Sequence, residues 1–231
     1  MRLELKQTAS LETYSMCGLP LLSLKQISNK NLLQNKKLGL IKFSTHLSET
    51  KPSKNFMSMV MGFFDADGYF DIGEQKQYNK KTKELVKSTI RIRLASNVHI
   101  RDLDLLKYFV KILGVGTISK MSSTKGRDQA RLIFSKEDLV LVILPLIKQY
   151  NLRFLTEQRL KQFKFFYDII KKNIISWDEA KKLKIINYSA ETTNYKPQEL
   201  VDLDFFNDWL IGFTVGEGSF GIKSNGSAFI Q

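Results

Sequence analysis

Two short stretches hold acids in a setting that could do chemistry: Met61-Gly-Phe-Phe-Asp-Ala-Asp-Gly-Tyr-Phe70 and Ile211-Gly-Phe-Thr-Val-Gly-Glu-Gly-Ser-Phe220. Each reads as the end of an apolar helix, an acid, a glycine and the start of a strand. Asp67 and Glu217 hold the same place in the two copies, 150 positions apart. A carboxylate just past a helix C-terminus adds to the partial negative charge of the unpaired carbonyls, and so attracts cations. Two such carboxylates side by side repel unless a proton or a cation lies between them. Neither stretch contains a basic residue to neutralise them. Mg²⁺ suits the task, because it keeps several waters and binds one or two carboxylates plus a phosphate. Water on such a cation, next to a phosphodiester, is a nucleophile. Asp65 is two residues before Asp67, roughly 200° around the helix, so both cannot address one cation while the helix lasts. Its counterpart is Val215, and Asp65 is therefore expected to be structural or capping.

The two acids meet only if their helices do. Ser58, Gly62 and Ala66 lie four apart and form one row of small residues along the first helix. Gly212 and Gly216 repeat that row in the second. Small residues let two backbones approach closely, so these five are the expected helix interface. Val60, Met61 and Phe64 point elsewhere and can cover a sheet.

The order of elements after the first motif supports this. A strand follows from Tyr69 to about Tyr78, then a charged hairpin loop, then a strand over 88–96. In the latter Ile90, Ile92 and Leu94 alternate with Thr89, Arg91, Arg93 and Ala95. A helix over 102–113 stops at Gly114. A second hairpin joins 116–122 to 129–135, and Ser135 caps a helix to Gln149 that Pro145 interrupts. A last helix spans about 156–173. The order is helix, hairpin, helix, hairpin, helix, helix, so the fold class is α+β, with a four-stranded antiparallel sheet and helices on one face. The expected domains are a basic, disordered leader (1–54), the first repeat (55–175), a linker with a short helix near 176–184 (176–203), and the start of a second such unit (204–231).

Composition narrows the partner. The chain has 231 residues, a formal charge of +13, and 28 Lys against 8 Arg. That balance, with 11% aromatics, points to an anionic partner, with nucleic acid first. The Lys, Asn, Ile and Phe content resembles coding from an AT-rich genome, and hints at an organelle. A mitochondrial transit peptide is one account of the leader, but Arg2 is its only arginine and such peptides are Arg-rich. One cysteine, Cys17, excludes an internal disulfide and a Cys-based zinc site, and two separated histidines, His46 and His99, argue against a His-built one. Apolar runs such as 139–147 are far shorter than the ~20 residues of a membrane span, so the expected protein is soluble.

Val60-Met-Gly-Phe-Phe-Asp-Ala-Asp-Gly68 and Leu210-Ile-Gly-Phe-Thr-Val-Gly-Glu-Gly218 resemble the two signature motifs of the LAGLIDADG homing endonucleases. Trp209 through Phe220 is similar to second motifs of mitochondrial intron-encoded, two-repeat members. The resemblance implies that Asp67 and Glu217 bind a divalent cation such as Mg²⁺, with Ala66 and Gly216 beside them in the metal site. It also implies the family's αββαββα unit, and a sheet saddle over the major groove of a long double-stranded DNA site, with both strands cut. Carried over onto this chain, the DNA-facing positions are Gln75, Arg91, Arg93 and Arg131. Lys80, Lys81, Lys83 and Lys125 are expected on phosphates, which position without specifying. A basic catalytic residue is implied near the metals, with Lys148 or Arg153 as candidates. The sequence supplies about one hairpin of the second repeat, so cleavage is expected to be impaired by truncation. The chain would be a monomer if completed and could self-associate through the Ser58/Gly62/Ala66 row as it stands. The alternatives are an RNA-binding maturase that assists splicing of its host intron, or an inactive remnant.

Overall fold

The computed structural model describes residues 51–122, 128–187, 196–218, 220–222, 224 and 226–230. The expectations for the leader up to residue 50 and for Lys125 fall outside them. The first helix, α1 (Lys54–Ala66), starts because Ser53 is extended and its hydroxyl accepts the Phe56 N–H. Residues 51–53 are strapped down next to it: the Tyr150 hydroxyl donates to the Pro52 carbonyl at 2.6 Å, and Lys51 donates to Gln149. This part of the expected leader belongs to the folded unit.

β1 (Gly68–Tyr78) and β2 (Leu85–His99) form an antiparallel hairpin longer than the alternation in sequence suggests. A short 3-10 turn (Ile100–Asp102) leads into α2 (Leu103–Leu113). Gly114 ends α2 at φ 70, where a side chain would be strained, and its N–H bonds Val110 O at 2.9 Å. β3 (Thr117–Met121) and β4 (Gln129–Ser135) make the second hairpin. The sheet order is β1-β2-β4-β3, all antiparallel.

The Ser135–Asp138 capping box opens α3, residues 136–149. The expected interruption takes the form of a π turn over Leu139–Ile143, with Leu144 N–H bonded to Leu139 O. The wider turn lies just before Pro145, whose nitrogen has no hydrogen to donate. α4 (Glu157–Lys171) then crosses back over the sheet.

Alternation in the strands sends one face inward. Ala130, Leu132 and Phe134 of β4 are fully buried, as are Ile92 and Leu94 of β2. Phe109 of α2 meets Phe63 edge-on at 5.1 Å, and Phe64 lies 5.5 Å from Phe134. Phe70 stacks on Phe166 at 5.6 Å, with Phe154 and Phe163 alongside. One core thus joins α1, α2, α4 and the sheet. Phe134→Ala should cost about 3–5 kcal/mol, read as a lower urea midpoint at unchanged slope.

Beyond the first repeat, α5 (Trp177–Asn187) buries Ala180 and Leu183. α6 (Pro197–Val201) occupies part of the stretch expected as linker. Its signal is local: proline at the first turn and Glu199 accepting from Lys196 N–H at 3.4 Å. α7 (Phe206–Glu217) carries the second motif, and β5 (Phe220–Ile222) pairs antiparallel with β6 (Ala228–Ile230). Among the described residues no helix is long and apolar enough to cross a membrane.

Candidate active site

α1 and α7 pack side by side and run in the same direction. Near their starts Lys54 Nζ lies 2.5 Å from Asp204 Oδ2. Midway, a Cβ on Gly62 would lie 1.9 Å from Trp209 O, and one on Gly212 1.8 Å from Met59 O. Near their ends a Cβ on Gly216 would lie 2.5 Å from Ala66 Cβ and 3.5 Å from Asp67 N. Backbone touches backbone because glycine removes the side chains between. Four of the five expected interface residues, Gly62, Ala66, Gly212 and Gly216, are in this contact. Ser58 is fully buried, and its hydroxyl is spent on Lys54 O of its own helix at 2.8 Å. Met59 and Phe63 stand against Gly212 as well, because steps of three and four both keep one helix face.

The paired helix ends bring the two acids together. Asp67 is the C-cap of α1, its N–H bonded to Phe63 O at 3.0 Å. Its carboxyl is pushed up to about 6 by burial first, then by the charges of Glu217 and Asp102. The sequence reading missed Asp102. It looks there like an ordinary cap for α2, yet its side chain makes no capping bond. Ala66 and Gly216 lie directly beneath the acids.

The donor set fits a hard divalent cation. Two crowded carboxylates, one of them holding its proton unusually tightly, favour an added positive charge. Among the described residues no group of three or more His, Cys, Asp or Glu converges as a ready-made cage. A cation held there would have to draw the rest of its shell from water and phosphate.

Asp65 is buried at 3% exposure and points away from Asp67. Its oxygens accept from Leu155 N–H at 2.7 Å, Thr156 N–H at 3.3 Å, Thr156 Oγ1–H at 2.6 Å and Trp209 Nε1–H at 2.8 Å. Burial raises its pKa, against these four bonds. Beside it the buried Arg159 donates from Nε to Phe64 O at 2.9 Å, satisfying a carbonyl in the last turn of α1. Burial lowers the Arg159 pKa while Asp65 raises it.

The sheet face away from the helices carries the expected polar residues. Gln75 is exposed and Arg93 half-buried. Arg91 grips Asp71 with Nε and Nη2, both at 2.9 Å, and passes over Gly73, whose missing side chain leaves the room. Asp71 raises the Arg91 pKa, chiefly through this bond. Arg131 donates to the Tyr69 hydroxyl at 2.7 Å and lies over its ring. Lys80, Lys81 and Lys83 are exposed in the first hairpin loop. Lys148 is exposed and sets its ammonium 5.2 Å from the centre of the Tyr167 ring, whereas Arg153 is buried. Neither is among the charges that act on Asp67.

These features define a class: an α+β unit with a polar, partly basic sheet face and a helix interface that ends in paired acids. Residues 60–170 match the family described as LAGLIDADG endonuclease. It is similar to the probable intron-encoded endonuclease Cox1-I1b of Schizosaccharomyces pombe, 29% identical over 179 residues, 75% of this chain and 43% of that protein. It is also similar to the probable intron-encoded endonuclease aI3 of Dictyostelium citrinum, 26% identical over 121 residues, 52% of this chain and 48% of the relative. The chain thus spans less than half the length of these relatives. In fold it resembles the meganuclease I-SmaMI bound to uncleaveable DNA, with TM-score 0.51 and 22% identity over 77% of this chain and 66% of that one. The LAGLIDADG meganuclease I-CpaMI bound to uncleaved DNA gives TM-score 0.50 at 21% identity, over 76% and 64%.

Proposed function

We propose that this chain forms the metal-binding centre and one DNA-reading face of a site-specific homing endonuclease that hydrolyses both strands of a long target. The observation that carries this is the meeting of Asp67 and Glu217 at the parallel ends of α1 and α7, across a contact only glycine allows. Asp67 and Glu217 would hold Mg²⁺, with Ala66 and Gly216 against them. When bound, the cation supplies Lewis-acid activation of water and charge balance for the scissile phosphate.

The chain's own residues do the rest. α1 and α7 fix the two carboxylates. Gln75, Arg91, Arg93 and Arg131 face the bases, where arginine pairs bidentately with guanine. The Asp71 and Tyr69 contacts hold Arg91 and Arg131 in set orientations before DNA arrives. Lys80, Lys81, Lys83 and Lys125 meet phosphates, and Lys148 serves as the basic group of the catalytic surround. The intron-encoded relatives and the AT-rich composition support a mitochondrial origin, with the intronless form of the host gene as target.

The test is cleavage of an intronless host-gene library with Mg²⁺ and with EDTA. Cutting at one site with Mg²⁺, absent with EDTA and in Glu217→Gln, is the expected result. Equal cutting by Glu217→Gln would overturn the assignment. The same basic face is open to intron RNA, and splicing support that survives Glu217→Gln without any DNA cutting would assign the chain to RNA instead.

A further inference from the structure

The geometry points to the Asp65–Trp209 hydrogen bond as the positioning latch that selects α7 as the partner of α1 and fixes its register, and so sets Asp67 against Glu217. This rests on the metal-site reading for its consequence, though not for its geometry. A glycine contact brings helices close but gives no direction. Its surface is smooth, and α7 could slide or turn on it. Among the described residues two polar contacts join the helices. One is Lys54–Asp204, with Asp204 74% exposed. Solvent-exposed pairs of that kind hold geometry weakly. The other is Trp209 Nε1–H to Asp65 Oδ2 at 2.8 Å, fully enclosed.

Asp65 is itself held rigidly. Leu155 N–H, Thr156 N–H and the Thr156 hydroxyl fill its other acceptor sites, so the segment leading into α4 holds the carboxylate independently of α7. Trp209 in turn is stacked between Phe206 at 5.7 Å and Phe213 at 4.9 Å. Donor and acceptor are each locked, and a bond between two locked groups transmits position rather than following it.

The latch occurs once. By the 150-residue repeat the counterpart of Trp209 is Met59 and that of Asp65 is Val215, which is 52% exposed. A second copy of α1 placed on this face would offer Met59 where the donor is needed, leaving a buried oxygen short of a bond. The face is thereby matched to α7 and mismatched to self-association, the same means by which a buried polar residue fixes pairing in coiled coils.

The test uses Trp209→Phe, which keeps the ring and removes the donor, with Asp65→Asn as a second variant and Lys54→Ala as control. Amide hydrogen exchange on the full chain is read by peptide. Loss of protection in α7, with the sheet and α2 unchanged, is expected for Trp209→Phe and not for Lys54→Ala. The Trp209 indole N–H, one of two in the chain, should be exchange-protected in the unsubstituted protein and lose that protection in Asp65→Asn. Mn²⁺ affinity should fall about tenfold in Trp209→Phe. Unchanged α7 protection, or loss spread equally through the sheet, overturns the latch. If the unsubstituted protein binds no Mn²⁺ the metal assignment fails, and α7 exchange still decides the latch.

Discussion

Asp67→Asn should make the metal-free protein more stable at pH 7.5 and at the same time abolish its response to Mg²⁺. The carboxyl titrates near 6 in the folded state against 3.8 in its ordinary setting. The folded protein therefore binds this proton more readily than the unfolded chain between those values. Stability from the protonated form is fully present below about pH 4 and is lost as pH rises through about 6. At pH 7.5 the native state carries a charge that burial, Glu217 and Asp102 all oppose. Asparagine mimics the neutral acid. Allowing for solvent screening of a half-buried group, the gain should be about 1 kcal/mol, or a rise of roughly 2–4 °C in melting temperature. At pH 4 the variant and the parent should melt together. Mg²⁺ at a hundred times its dissociation constant should stabilise the parent by about 2.7 kcal/mol at pH 7.5 and the variant hardly at all. The parent's metal affinity should decline as pH falls through 6, because the proton and the cation compete. DNA cleavage should drop on the order of 10³-fold, the scale of several kcal/mol of lost charge stabilisation. A variant that melts lower at pH 7.5, or still responds to Mg²⁺, would sink the paired-acid description.

The second large effect concerns the helix contact. A Cβ at position 212 would lie 1.8 Å from Met59 O and 2.9 Å from Phe63 N. Those are backbone atoms of a helix that the whole core holds, so they cannot swing aside. Gly212→Val would force α7 outward by more than an ångström. Overpacking of this kind costs about 1–3 kcal/mol or more. Displacement of a reacting group by about 1 Å costs on the order of 10²-fold in rate. The expected result is a protein with an intact sheet by circular dichroism, no Mg²⁺-induced shift and at least that loss in cleavage. Gly114→Ala is the contrast. Nothing lies within 4 Å of its Cβ, but φ of 70 makes it a backbone strain alone. It should cost about 1 kcal/mol and leave the Mg²⁺ response intact. Equal behaviour of the two variants would show that the close helix approach has no part in holding the acids.

Much of this was legible because the signals are local. Alternation in 88–96 and 129–135, the Ser53 and Ser135 caps and the Gly114 stop are all readable within a few residues, and the elements follow them. The two motifs were legible because a repeat is a comparison internal to the chain. What escaped depends on contacts between distant segments. Asp102 acts on Asp67 only because the end of the β2 strand brings the start of α2 beside it. Asp71 and Tyr69 hold Arg91 and Arg131 across strands, so arginines that read as a free outward face are partly engaged. Asp65 was read as structural from its helix angle, but no local pattern could name Leu155, Thr156 and Trp209 as its partners.

The backbone contacts of Gly62 with Trp209 and of Gly212 with Met59 also set an order of events during synthesis. α1 leaves the ribosome first, and its glycine face has to wait for a helix encoded 150 residues later. At ordinary elongation rates that delay is about 8–30 s, far longer than a helix or hairpin needs to form. The core of α1, α2, α4 and the sheet can close in that time with the groove around Gly62 still bare. A nascent chain on a neighbouring ribosome presents the same bare groove, and co-translational pairing of two such chains competes with the later arrival of α7. Slower translation of the stretch before Phe206 should therefore favour mispaired chains, and the single tryptophan donor on α7 gives the late helix its advantage when it arrives.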